Sequence, residues 1–580
     1  MNLKKKSLLY ISMLFTIALL AASCSKKISP LTSNLFTVNP SPLEVVGTKV
    51  PVTINGNIPP KWFDKKMVVT VTPILKYEGG EAYGTPYVYQ GEKVNGNNIV
   101  ISQSNGANVT LKSEFDYIPA MKKSELYLRF HVSKGGGSFY TTDLASLIKT
   151  PGTFADIKIA DGVVATAALA DALSSTPSTA PDNFQKSIQE SYDAEIKFLI
   201  QQAELRSSEL NSSNLAAWKN LVKEANDNSK KKLNVEVSAY ASPDGGYKLN
   251  EGLAEKREKN TSSYLKKEFK NNSINTGINA HYTAQDWDGF KKLVEVSNLQ
   301  DKDLILRVLS MYTDTETRER EIKNISVVYK DLAETILPQL RRSRLIANVE
   351  IIGKTDAELQ AAVANDMGSL SVEELLYAAT LTNSGSQKEK IYLFITKKYP
   401  NDYRGWNNLG TLYYQNGLTD KANQAFVKAS QINAKSAETN TNLALMSLSE
   451  NNIAKAEQLL GNSSGANTAN EALGLLYLKK GDYTKAAQSF GDAKTNNAAV
   501  ANILTKNYSK AEQILNAVPN KDATTSYLKA IIAARTNNIS GVISGLKAAT
   551  EKDPSLKREA LKDLEFAKFV TNPDIANLLK

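Results

Sequence analysis

Cysteine and histidine are nearly absent from this chain: of its 580 residues only Cys24 is a cysteine, and only His131 and His281 are histidines. One thiol excludes an intrachain disulfide and a thiolate metal cluster. Two histidines in distant parts of the sequence exclude the paired-imidazole spacing of zinc hydrolases. Neither sign of charge dominates. Against 60 Asp+Glu stand 70 Lys+Arg, a net +10, and three of those positives are the consecutive Lys4, Lys5 and Lys6. Nucleic-acid binding needs a stronger basic footprint. With 42% hydrophobic and 22% charged residues, the composition excludes both a multi-span membrane protein and a wholly disordered chain. The length is about four times that of a common single domain, so two to four units are expected.

Signatures of catalysis are missing as well. No Walker A, GxGxxG or EF-hand spacing occurs. Serine-x-x-lysine recurs at Ser146/Lys149, Ser263/Lys266 and Ser526/Lys529 in unlike contexts, the scatter of a Ser- and Lys-rich chain. Glu316 and Glu319 are i,i+3 neighbours on a charged helical stretch, where solvated pairs are far commoner than acid/base dyads. Without a nucleophile, a base and an orienting group in one constellation, the expectation is a protein that is no enzyme and has no cofactor and no metal.

What is present begins with an export signal. Lys4–Lys6 form a basic start, and the apolar run from Leu8 to Ala22 is shorter than the ~20 residues of a membrane span. It ends Leu20-Ala21-Ala22-Ser23-Cys24. Small residues directly before the sole cysteine resemble a bacterial lipoprotein lipobox. That resemblance implies a cleaved signal peptide, residues 1–23, and a lipidated tether, residues 24–40. Cys24 then carries a diacylglycerol thioether and an N-acyl chain such as palmitate. Several acyl chains at ~0.8 kcal/mol per buried CH₂ hold a protein on a membrane persistently, where one chain does not. The whole chain is similar to Bacteroidetes outer-membrane lipoproteins, in which acidic residues after the cysteine mark surface export. Here Ser25, Lys26 and Lys27 follow, which implies an outer-membrane anchor facing the periplasm, with the cell surface as the alternative.

Residues 41–165 read as a β-sandwich. Val68–Pro73, Tyr87–Tyr89, Ile99–Ile101 and Val109–Phe115 are β-prone runs between Gly/Asn/Pro clusters. Leu126, Leu128, Phe130 and Val132 alternate with Tyr127, Arg129, His131 and Ser133, a half-buried strand of period two with His131 on its polar face. Six or seven such strands point to an immunoglobulin-like sandwich, a module that binds or spaces. Residues 166–192, with the Ala/Ser/Thr/Pro-rich stretch from Ala167 to Ala180, read as a linker.

Residues 193–353 alternate strands and helices. Glu195–Leu205 reads as a strand, a helix starts near Ser212 or Ser213, and Leu233, Val235, Val237 and Ala239 mark a second strand. The turn Ser242-Pro243-Asp244-Gly245-Gly246 leads into a helix over Leu249–Phe269, with further strands at Ile278–Thr283 and Leu345–Ile352. This βαβαβ order implies an α/β sandwich. Leu249-Asn250-Glu251-Gly252-Leu253-Ala254-Glu255-Lys256-Arg257, directly after a strand and a Gly-containing turn, resembles the helix opening of the OmpA C-terminal family. The resemblance implies a peptidoglycan site in which an aspartate on the turn and the helix arginine hold the diamino acid. Arg257 matches that arginine. The aspartate position, fifteen residues earlier, is Ser242, and Asp244 is the nearby carboxylate that could substitute. Two readings of Arg257 stand: a ligand-reading residue, or an arginine that snorkels past the Leu249/Leu253 stripe. Weak or altered peptidoglycan contact is expected, and residues 288–341 are a helical insertion.

After a second linker, residues 354–370, the stretch 371–580 carries an internal repeat. Trp406, Leu409, Gly410, Tyr413, Ala422, Phe426 and Ala429 stand at the spacing of the 34-residue tetratricopeptide repeat. The pattern returns at Leu443, Ala444, Ala456 and Leu460, and again at Leu473, Gly474, Tyr477, Ala486, Phe490 and Ala493. Fainter copies include Ala511 with Leu515, Ala530 with Val542, and, upstream, Leu375, Ala379 and Pro400. Small residues let paired helices approach while large ones fill the next groove, so an all-α solenoid with a concave protein-binding surface is expected. The function these parts imply is an envelope scaffold, linking the membrane and peptidoglycan to a protein complex through the repeats. The alternative is a surface-exposed adhesin, or a fimbrial or secretion-system accessory, that has lost wall binding.

Overall fold

The computed structural model describes residues 31–134, 154–299 and 301–580. The signal peptide, Cys24 and the first residues of the tether lie outside the described residues. The chain divides into two compact units, Met1–Pro181 with Asn383–Lys580, and Asp182–Thr382.

The first unit starts with eleven described strands: β1 (Phe36–Asn39), β2 (Leu43–Glu44), β3 (Lys49–Ile58), β4 (Met67–Tyr77), β5 (Gly80–Tyr83), β6 (Tyr87–Gly91), β7 (Ile99–Ile101), β8 (Ala107–Asp116), β9 (Ser124–Lys134), β10 (Phe154–Asp161) and β11 (Val163–Val164). They form a three-stranded sheet, β1-β3-β8, and a larger sheet, β10-β9-β4-β6-β7, with β5 paired to β4. The β3/β8 register sets Val52 against Ser113 and Ile54 against Leu111. Inward residues of both sheets, Val52, Ile54 and Leu111 from one and Val69, Leu126, Leu128 and Phe130 from the other, meet in one core. Strand β9 alternates as its sequence requires, with Leu126, Leu128 and Phe130 buried and Tyr127, Arg129 and His131 half-buried.

Two boundaries differ from the sequence expectation here. Strand β1 lies inside the stretch read as tether, because Phe36 is buried and packs at 6.0 Å from the Phe130 ring. There are also more strands than six or seven. Pieces such as Leu43–Glu44 and Val163–Val164, paired in parallel with each other, are too short to carry a period.

Helix pairs follow in the same unit: Tyr403–Gln415 with Thr419–Ile432, Ala437–Ser449 with Ile453–Leu460, Ala469–Lys480 with Tyr483–Phe490, Asn496–Leu504 with Tyr508–Ala517, and Ala523–Arg535 with Ile539–Lys552. This is the tetratricopeptide-type stack that the spacing predicts. Gly410 is where it is because a Cβ there would stand 2.5 Å from the Phe426 ring; at Gly474 the Phe490 ring would be 2.8 Å away. The stack begins later than expected. Leu375 and Ala379 sit on the helix Val372–Thr380, which belongs to the other unit, so the upstream copy is no repeat of this array. A repeat array is expected to fold by itself, yet this one closes against the sheets. The Tyr483 hydroxyl donates to the Val45 carbonyl at 2.9 Å and accepts from the Gly47 amide at 3.1 Å, and Lys122 pairs with Glu559 at 3.2 Å.

The second unit holds a four-stranded sheet of order β12-β15-β13-β14: β12 (Ser187–Lys197), β13 (Lys231–Tyr240), β14 (Ile278–Thr283) and β15 (Arg342–Ile352). β13 and β14 are parallel; β15 runs antiparallel to both β12 and β13. The helices Ser213–Asp227 and Tyr247–Asn271 supply Trp218, Val222, Leu265 and Phe269 to its core. Ser212 caps the first of them through its hydroxyl, which accepts from the Leu215 amide.

The strand read at Glu195–Leu205 is corrected to β12, and with it the linker, which does not run to residue 192. On this edge strand only Ala194 and Ile196 are buried, so Ser187 to Asp193 carry no apolar period to read. Residues Trp287–Leu340 form helices with a core of their own around Phe290, Ile305, Leu332 and Leu340. The second linker is likewise largely helical, since Asp356–Asn365 is a helix opened by a Thr355/Glu358 capping box. Among the described residues no helix is long and apolar enough to cross a membrane.

Candidate functional site

The stretch 171–181, read from sequence as linker, makes a turn over residues 172–175, closed by the Ser175 amide on the Ala172 carbonyl at 3.0 Å, and from residue 176 lies extended along the first helices of the repeats. Pro177 and Pro181 hold φ near the value of an extended chain on either side of Ser178-Thr179-Ala180. Pro177, Ser178 and Ala180 are buried, while Thr176 and Thr179 are exposed. Buried asparagines of the array meet its main chain. Asn408 accepts from the Ala180 amide at 2.8 Å and donates to the Ala180 carbonyl at 2.9 Å. Asn442, one repeat further on, does the same to Ser178 at 2.6 and 2.8 Å. Asn497 repeats the pairing on Asp171, at 2.9 and 2.7 Å, and adds a bond to the Ser175 hydroxyl.

A primary amide offers one acceptor and two donors, so it can satisfy both polar groups of one peptide residue at once. The asparagines hold each other in place. Asn407 accepts from Asn442 and from Thr439, and donates to the Ser178 carbonyl at 3.0 Å. The Tyr414 hydroxyl donates to the Ala172 carbonyl. Sequence reasoning missed this face, although Asn408 and Asn442 stand one 34-residue period apart at a position where the repeat pattern has no requirement. A buried-face asparagine recurring at the repeat period was the available signal.

The residues chosen from the OmpA resemblance do come together, in the second unit and with an unforeseen partner. Ser242 is buried and donates to Asp244 at 2.5 Å. Arg341, at the end of the helical insertion, donates through Nη2 to Asp244 at 2.9 Å and through Nε to Ser242 at 3.2 Å. The turn is braced by Asn250 and Gln285, both donating to the Gly245 carbonyl.

Arg257 is 1% exposed. It does not snorkel. Its Nε donates to the Gln202 carbonyl at 2.9 Å, Nη1 to the Tyr240 carbonyl at 2.8 Å and Nη2 to the Leu199 carbonyl at 3.3 Å. The guanidinium also lies over the Phe198 ring. Burial, together with the neighbouring Arg341, pushes its pKa down to about 10, which leaves it charged at neutral pH. Two cations and one carboxylate thus share a dry site whose hydrogen bonds are made within the chain. Pro243 of the turn also borders a small crevice lined by Trp287, Phe290, Ile322 and Leu332 of the insertion. The contact of Arg341 with Asp244 spans 97 residues, which is why no local pattern foretells it.

Elsewhere, Ser238 and His281 approach at 2.8 Å, with Glu236 beside them. The Glu236 carboxylate faces the same imidazole nitrogen as the serine, so it cannot orient the ring from the far side as a relay requires. Glu319 is engaged by Lys323. His131, with its pKa lowered by burial, stands on the half-exposed face of β9. Among the described residues no group of His, Cys, Asp and Glu could hold a metal ion.

No protein-family model matches the chain, and no curated protein matches it. Among solved structures it is similar to a tetratricopeptide repeat protein from Parabacteroides merdae, at 15% identity over 39% of this chain and 91% of that one, TM-score 0.28. PilF of Pseudomonas aeruginosa shares 17% identity over 38% of this chain and 99% of its own, TM-score 0.26. Yeast Tom70 shares 12% over 57% and 77%, TM-score 0.25. Likeness at these scores says nothing of activity or partner.

Proposed function

We propose that this chain is a non-enzymatic scaffold of the bacterial outer membrane, anchored through Cys24, facing the periplasm and holding envelope proteins through its repeat array. The observation that carries the reading is the asparagine-lined face. It grips a polypeptide main chain by paired hydrogen bonds and brings no nucleophile or base to it, which is the chemistry of holding rather than converting. The anchor rests on Lys4–Lys6, the apolar run and the small residues before the sole cysteine; the immunoglobulin-like β module then acts as a spacer.

Photo-crosslinking in intact cells from exposed array positions such as Val427 and Leu418 tests this reading. Adducts with envelope proteins are expected, from a protein that fractionates with the outer membrane and resists external protease. A protein shaved from the cell surface, with no envelope adducts, favours the adhesin or secretion-accessory alternative.

In the same reading residues 193–353 are an OmpA-like module with Ser242 and Asp244 as its peptidoglycan contacts, and Arg257, buried on backbone carbonyls, holds the site's frame rather than the ligand. The charge pair of Asp244 supports a weak contact only. A diamino-acid ammonium has to displace the Arg341 guanidinium from that carboxylate, and the displaced charge then loses its partner in a dry site. Cosedimentation of the protein with purified peptidoglycan measures the contact.

A further inference from the structure

Three features decide what the asparagine-lined face is built to take. Its polar contacts go to the main chain of residues 171–180, in three two-point pairings by Asn408, Asn442 and Asn497. Its buried positions accept only small side chains: Ala172, Ser175, Ser178 and Ala180 are 2 to 6%, or less, exposed, while Leu173 is 45% exposed and points away. Where side chains are read at all, they are hydroxyls, Ser178 donating to Asn467 at 2.7 Å and Ser175 accepting from Asn497 at 3.1 Å. The bound segment has no large apolar anchor. An anchor-free ligand held through its backbone has modest intrinsic affinity, because burying aromatic or aliphatic side chains is what makes peptide docking tight. This one stays in place because it is part of the chain, and a tethered segment acts at an effective concentration in the millimolar range.

We propose that this face is a receptor for an extended, small-residue, serine-containing segment of a partner protein, and that residues 171–180 are its built-in competitor. The inference deepens the scaffold reading and rests on it. A partner segment enters by matching the main-chain pattern, with small residues at the positions of Ala172, Ser175, Ser178 and Ala180 and a proline at that of Pro177, which is buried as well. The strap shuts the face against sequences of ordinary bulk, since a large side chain at the Ser178 or Ala180 position has no room beside Asn407 and Asn442.

The test uses the full chain and a labelled synthetic peptide with the sequence of residues 169–182. Ser178→Trp with Ala180→Trp in the strap expels it while leaving every asparagine of the array intact. That variant is expected to bind the peptide saturably, at least tenfold tighter than the parent protein. N-methylation of the peptide at the residues matching Ser178 and Ala180 is expected to abolish binding, as is Asn408→Ala with Asn442→Ala in the variant.

A second form guards against a strap variant that misfolds: the parent chain with a specific protease site inserted after Pro181, nicked after purification. It keeps every native contact but loses one tether, so peptide exchange should appear on nicking while the melting curve stays cooperative. Absence of binding by the nicked protein, or equal binding by parent, variant and N-methylated peptide, overturns the proposal. So does a strap-released variant that sediments as a dimer, because the occupant is then the strap of a second copy. Peptide binding in solution alongside failed crosslinking in cells would sink the scaffold reading and leave the receptor standing.

Discussion

Asn408→Ala removes the one side chain among the described residues that is hydrogen-bonded to either polar group of Ala180, a residue 2% exposed. Its amide and carbonyl are then buried without partners, at about 1–3 kcal/mol each, or roughly 2–6 kcal/mol together. Asn442→Ala is milder. It orphans the Ser178 amide, but the Ser178 carbonyl keeps Asn407 as donor at 3.0 Å, so ~1–3 kcal/mol is expected. Amide hydrogen exchange, resolved by peptide mass spectrometry over residues 170–182, reads both effects locally. It is also free of the two-unit complication that spoils a single global melting curve. At 1.4 kcal/mol per factor of ten, exchange at Ala180 should quicken about 30-fold or more in Asn408→Ala, and less at Ser178 in Asn442→Ala. The exposed Asn416 is the control, its alanine variant shifting nothing by more than ~0.5 kcal/mol. If Asn408→Ala changes strap exchange no more than Asn416→Ala does, or if the order of the two asparagine variants is reversed, the main-chain pairing does not hold the strap.

Gly410→Trp places a side chain where even a Cβ would stand 2.5 Å from the Phe426 ring. The first unit should lose several kcal/mol, roughly 3 or more, with the far-ultraviolet melt of the array dropping while the second unit melts unchanged. Arg257→Met takes the guanidinium from the Gln202, Tyr240 and Leu199 carbonyls, of which the last keeps the Gln202 amide as donor at 3.2 Å, and is expected to cost the second unit ~3–5 kcal/mol in urea titration; a loss under ~1 kcal/mol would mean that the guanidinium is not structural. Ser242→Asp adds a second carboxylate beside Arg257 and Arg341 and should strengthen cosedimentation with peptidoglycan about ten- to a hundredfold. No gain would leave the module without a wall site. Cys24→Ala should move the protein from the membrane to the soluble fraction, and a cleaved, fully membrane-bound mutant would refute the lipid anchor.

The separate behaviour expected of a repeat array does not extend to deleting it. Residues 371–580 read as a domain with its own core, but the sheets, the strap and the array form one compact unit. Cutting at residue 382 would strip cover from Ala172, Ser178 and Ala180, and remove Tyr483 from Val45 and Gly47. Point variants on the asparagine face are the sound probes, since they leave the helix pairs standing.

Much of the secondary structure was legible from local pattern. Strand β9, the helix Tyr247–Asn271 and second repeat helices such as Thr419–Ile432 each bury one regular face, so their periods of two and 3.6 are written in consecutive residues. Gly410 and Gly474 announced their close contacts by recurring with Phe426 and Phe490 at a constant spacing. Strand β12 hid because an edge strand with two buried residues needs no period. What tertiary structure alone decided are the contacts between residues far apart in the chain. Arg341 reaches Asp244 only because the insertion folds back on the turn. Arg257 becomes a dry structural cation only because residues 198–203 bring their carbonyls to it. Most of all, the sequence from Ala167 to Ala180 has the composition of a linker, and it is extended only from residue 176, after a short 3-10 helix at Thr166–Leu169 and a turn at 172–175. Whether such a segment wanders or is bound depends on whether another part of the chain offers partners for its amides and carbonyls, and here the asparagines that do so lie more than 200 residues away.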